Sequence, residues 1–174
     1  MLTDLKAWIN GVRHGRGFGV HSPWAFETIT AVLRCDCAYY AYPDIDFLFD
    51  QCPGLARAVF RLLVHEQPSV TVVIGDDRWD KLVQMACPAK TAATRQPITA
   101  VIVDDPSKTT VAQLAKLTAD GGLLIMTCLN TPAGFALWQQ ALADCPGMAI
   151  QTNRALGIIN RRRDLPHQLI KARL

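Results

Sequence analysis

The chain has 174 residues, of which 50% are apolar and 19% charged, with a formal net charge of +3. This balance excludes a disordered polymer, and the length suits one domain with a real core better than two. No apolar stretch reaches the ~18 to 20 residues that span a bilayer. The chain does not open on a basic cluster followed by an apolar run, so no signal peptide and a cytoplasmic setting are expected.

The first segment reads as an amphipathic helix, with Leu2, Leu5, Trp8, Ile9 and Val12 at three- and four-residue steps. Gly15, Gly17 and Gly19 then end it in a loop that carries His14 and His21. Ser22-Pro23 is a cap followed by proline at the first helical position, and Phe26, Ile29, Val32 and Leu33 form the apolar face of a second helix. Residues 35–53 read as a partly ordered linker across the surface. A third helix spans about Gly54 to Glu66, with Leu55, Val59, Leu62 and Leu63 inward.

The pattern then changes to short apolar runs. Thr71–Ile74, Ile98–Val103 and Gly122–Thr127 are expected to be parallel strands covered on both faces. Helices separate them. One covers Asp80 to Ala86. Another is capped by Thr109 and turns Val111, Leu114, Ala115 and Thr118 inward, with Leu117 at its edge. Thr131-Pro132 starts a further helix facing inward through Phe135, Trp138, Ala141 and Leu142. Met148–Gln151 and Leu156–Ile159 read as two antiparallel strands meeting at Thr152-Asn153-Arg154, and residues 163–174 as a polar tail. Alternation of strand and helix implies an α/β class with a doubly wound sheet.

From about Gly54 to Arg162 the chain resembles a class I S-adenosylmethionine-dependent methyltransferase. The resemblance rests on Thr71 to Gly75 as a first strand and glycine loop, and on Val101-Ile102-Val103-Asp104-Asp105 as a strand ending in acids. It rests also on the Asp120-Gly121-Gly122 turn into an apolar strand, and on the closing antiparallel pair. Gly19-Val20-His21-Ser22-Pro23-Trp24-Ala25-Phe26 is similar to the opening of small bacterial methyltransferase-like proteins. The implied fold is a truncated Rossmann-like methyltransferase sheet, residues 54–174, behind a helical N-terminal extension, residues 1–53. If the protein is active, the implied cofactor is S-adenosylmethionine, with Gly75, Asp76, Asp77 and Asp104 lining its pocket.

The chain departs from that family where the cofactor is held. The family loop reads acid-x-Gly-x-Gly-x-Gly. Here Val73 stands for the acid, Gly75 keeps the first glycine, and Asp77 and Trp79 replace the other two. Asp77 would block close backbone approach and repel the methionine carboxylate by roughly 1 to 4 kcal/mol. Only about two dozen residues separate Gly75 from Ile98, little room for two further strands of such a sheet. The expectation is therefore a degenerate relative acting as a binding or interaction module, with an active enzyme of atypical cofactor contacts as the alternative. Its partner would be an unknown protein or small molecule.

Other candidates weigh less. Asp104 and Asp105, near Asn130, read as an acid pair or metal ligands, or as solvated turn acids. Asp76, Asp77 and Asp80 read as a cation site or a charged helix start. Cys128 reads as a small buried residue rather than a nucleophile. Cys35-Asp36-Cys37 is too tightly spaced for a zinc pair and has no second pair, so no metal is expected. The six cysteines are expected to be reduced. Arg161-Arg162-Arg163 reads as a solvated strand end, and nucleic-acid binding through it would show steep salt dependence.

Overall fold

The computed structural model describes residues 2–88, 99–119, 121–153 and 155–173, with the side chains of the first helix described from Leu5 onward. The expectations placed on Ile98, Asp120, Arg154 and the side chain of Leu2 lie outside the described residues. The aliphatic runs pair into one sheet. β1 (Val70–Ile74), β2 (Thr99–Val103), β3 (Leu123–Met126), β4 (Met148–Thr152), β5 (Gly157–Asn160) and β6 (Gln168–Ala172) lie in the order β1-β2-β3-β5-β4-β6. β1, β2 and β3 are parallel, with Val72 opposite Val101 and Ile102 opposite Ile125. β5 runs against both its neighbours, β3 and β4. The class is α/β, built on a mixed sheet.

Alternation along the central strands divides the core between the two faces. Ala100, Ile102, Ile125, Ile158 and Ile170 join one buried cluster, while Val101, Val103, Leu124, Met126 and Ile159 join the other. β2 and β3 are covered on both faces, as expected. β1 is not: Val70 is 52% exposed and Thr71 to Ile74 are only half-buried. β1 stands at the edge of the described sheet, so its apolar run has a partner strand on one side alone.

The helices fill the two layers with some departures from expectation. α1 (Leu2–Gly15) forms, but Leu5, Trp8 and Ile9 are exposed. The helix lies on β6 through its small residues instead. Gly11 and Gly15 share a face, and the Arg173 amide donates to the Gly11 carbonyl at 2.9 Å. β6 itself falls in the expected polar tail, where Ile170 and Ala172 turn into the core and the strand pairs parallel with β4.

α2 (Pro23–Glu27) is capped by Ser22, whose hydroxyl oxygen accepts from the Ala25 amide at 3.4 Å. It continues as a π-helical stretch, Thr28–Leu33, and buries Trp24, Ala25, Ile29, Val32 and Leu33 while Phe26 faces out. The expected linker contains α3 (Tyr42–Leu48), started by proline in its first turn and anchored by buried Ala41, Ile45 and Phe49. α4 (Pro53–Glu66) and α5 (Arg78–Ala86) complete that layer.

On the other face, α6 (Val111–Leu117) is capped by Thr110, not Thr109. Thr110 and Gln113 form a reciprocal capping box, and Thr109 lacks such a partner one residue earlier. α7 (Pro132–Asp144) starts at Thr131 as expected, but Phe135 is 44% exposed, and Leu137 joins Trp138 and Ala141 inside.

Candidate functional site

The residues singled out in the sequence meet at the carboxyl ends of β1 and β2, where open α/β sheets take ligands. The Ile74 carbonyl accepts from the amides of both Asp104 and Asp105, at 2.9 and 3.1 Å. This draws the β2 end against Gly75. A Cβ there would sit 2.7 Å from the Asp104 Cβ, and the backbone adopts a φ of +149° that disfavours side chains. The glycine is thus explained by strand packing alone.

The acids are engaged locally. Asp76 accepts from the Arg78 amide and from its Nε, both at 2.8 Å, and pairs with its terminal nitrogen at 2.7 Å. Arg78's hydrogen bonds hold the Asp76 carboxyl below the usual range. Arg78 also donates to the Leu48 carbonyl at 3.0 Å and stands 5.4 Å from the Phe49 ring centre. Trp79, at the third expected glycine position, is 2% exposed and packs on Phe49 at 4.6 Å. Asp77 is the exposed residue preceding α5 and caps it with no side-chain bond.

Asp104 accepts from the Thr127 hydroxyl at 2.8 Å. Asp105 accepts from the Ser107 amide and hydroxyl, at 3.0 and 2.6 Å, and these bonds hold its carboxyl low. Lys108 stands 3.7 Å from Asp105 and reaches the Gly75 carbonyl at 3.4 Å. Asn130 is exposed and bonds to neither acid. Among the described residues no three His, Cys, Asp or Glu side chains converge as metal ligands, so Asp76, Asp77 and Asp80 do not form a cation site.

The outlying candidates resolve into structural roles. Cys128 is buried, its thiol directed at the Val103 carbonyl at 3.7 Å, and burial pushes it up to about 11, far from a ready thiolate. His14 ties α1 to β6 through the Lys171 carbonyl at 3.2 Å, while His21 is exposed. Arg161 caps the end of α6, donating to the Ala115 carbonyl at 2.6 Å and to the Thr118 hydroxyl at 3.0 Å. Arg162 pairs with Asp164 at 2.6 Å. Arg161 and Arg162 are thus each committed to separate local partners, and Arg163 is exposed.

A cavity of about 340 Å³ lies away from this crevice and was not foreseen in the sequence. Its walls are residues 33–37, Tyr42 of α3, and Gly54, Arg57 and Arg61 of α4. The signal was present: 54, 57 and 61 fall at i, i+3 and i+7, one stripe of a helix otherwise read for its apolar face. Arg57 pairs with Asp46 and stacks over Tyr42 at 4.6 Å. The Cys35 side chain, hydrogen-bonded to Cys37, pushes the Cys37 thiol above its ordinary value. The α3–α4 connection separates the two places, since Leu48 receives Arg78 and Gly54 lines the cavity.

Comparison of the chain with protein-family models, with curated proteins and with solved structures gives no match.

Proposed function

We propose that this protein is a methyltransferase-like binding or interaction module that no longer holds S-adenosylmethionine in the ordinary way. The observation that carries the reading is Arg78. Its guanidinium is fixed between the Asp76 carboxylate and the Leu48 carbonyl, over Phe49, within the stretch that the family keeps as an open glycine loop. The family cradle needs bare backbone at three positions so that the cofactor's methionine end can approach. Here Asp77 presents a carboxylate at the second and Trp79 is committed to the core at the third. The strand directions are compatible with such an ancestry: β1, β2 and β3 run parallel and β5 is reversed against β3, and a reversed closing strand is part of the sequence resemblance.

Calorimetric titration with S-adenosylmethionine and S-adenosylhomocysteine tests the reading. No heat of binding is expected up to about 1 mM ligand. A micromolar dissociation constant for either would overturn it and return the chain to the active enzymes.

A further inference from the structure

Arg61 is 7% exposed, so its charge is almost wholly out of water. Its Nε donates to the Val32 carbonyl at 2.6 Å, and its two terminal nitrogens to the Tyr42 hydroxyl and the Leu33 carbonyl, each at 2.8 Å. All three acceptors are neutral, and two N–H groups remain of the five. No carboxylate pairs with Arg61 among the described residues. A buried cation without a counter-charge is costly, because hydrogen bonds to neutral oxygens restore only part of its lost hydration.

The rest of the lining has the same bias. Arg34, at the rim, donates to the Gly15 carbonyl at 3.0 Å and has no acid partner among the described residues. Tyr42 accepts from Arg61, which leaves its own hydroxyl proton to give. The Gly54 amide lies in the first turn of α4, where no intrahelical acceptor exists and Cys52 supplies no side-chain cap. Asp46 answers Arg57. Asp36 is the one acid in the lining, and it is exposed. Donors thus outnumber acceptors, and positive charge exceeds negative, around a space near the lower end of small-molecule pockets.

We propose that this cavity binds the oxyanion group of a small phosphorylated or carboxylated ligand. Arg61 and Arg34 supply the charge, and the Tyr42 hydroxyl and Gly54 amide supply further donors. A guanidinium fixed by three bonds presents its remaining N–H groups without a further ordering cost, which suits recognition of planar or tetrahedral oxyanions. The site shares no residue with the crevice at Gly75, so the outcome of a cofactor titration there does not decide this one.

The test is titration of the full chain with inorganic phosphate and, separately, with citrate, at constant ionic strength against chloride. Two variants accompany it. Arg34→Gln removes a rim charge. Gly54→Asp places a carboxylate in the first turn of α4, where the helix dipole favours it, so folding is retained while the cavity becomes repulsive. Circular dichroism is expected to be unchanged in both variants, which separates lost binding from lost fold. Saturable binding of at least one anion to the wild type, weakened at least tenfold by each substitution, is expected. The tighter anion then distinguishes phosphoryl from carboxylate recognition. No saturable binding of either up to about 10 mM overturns the proposal, as does binding that either substitution leaves unchanged.

Discussion

Asp76 illustrates how a residue chosen for ligand chemistry becomes part of a turn. Its carboxylate is held low first by the Arg78 side chain and then by the Arg78 amide. Because the folded pKa lies below the ordinary value of 3.8, the stabilisation is present above that value and is lost as pH falls through the folded pKa. Both partners are more than a third exposed, so solvent screens much of the attraction. Asp76→Asn is expected to cost about 0.5 to 1 kcal/mol at pH 7, with the difference from wild type shrinking as pH drops below 3.8. Urea unfolding at pH 7 and at pH 3 checks this; an equal loss at both would rule out the ion pair as its source. The caps at Ser22 and Thr131 were legible because a cap is local, a hydroxyl and a proline in sequence. The partnership of Asp76 with Leu48 through Arg78 was not, since nothing near Arg78 names the carbonyl of a residue thirty positions earlier.

At the scale of elements, α1 and β6 were the hardest to read, and for one reason. Each is amphipathic, but neither packs in the way that its apolar pattern alone suggests. Leu5, Trp8 and Ile9 gave a clear helical period, yet the helix approaches β6 through Gly11 and Gly15, where backbone can meet backbone. In β6 only Ile170 and Ala172 are inward, too short an alternation to stand out from a polar tail. A methyl group at position 15 would run into the Arg173 carbonyl, which is backbone and cannot swing aside. Gly15→Ala is therefore expected to destabilise by about 1 to 3 kcal/mol, as overpacking does. Amide exchange should accelerate together in α1 and β6. Leu5→Ala, on the exposed face, should change stability by less than about 0.5 kcal/mol. Equal effects of the two substitutions would mean that α1 docks by its apolar face after all.

At the scale of the whole molecule, the parallel strands and the closing antiparallel pair were readable from short apolar runs, but which strand lies beside which was not. Order depends on contacts far apart in sequence, such as Ile125 with Ile158. The same long-range packing joins the N-terminal helices to the sheet. Trp24, Ile45 and Phe49 belong to the buried cluster that holds Ile102, Ile150 and Ile170, and the Trp24 indole donates to buried Glu66 of α4 at 2.7 Å. Ile45 is fully buried on α3, so Ile45→Ala removes three methylene-sized groups from a shared core and should cost about 2 to 5 kcal/mol. Because one cluster spans the helices and the sheet, that cost should fall on a single transition. Far-ultraviolet dichroism reports the helices and strands together, and fluorescence reports both faces of the sheet, through Trp24 and Trp79 in this cluster and Trp138 in the other. The two midpoints should move down together in the variant. If either signal instead splits into two transitions, with only the earlier one moved by the substitution, the N-terminal layer unfolds by itself, and the continuity of the core does not confer cooperativity.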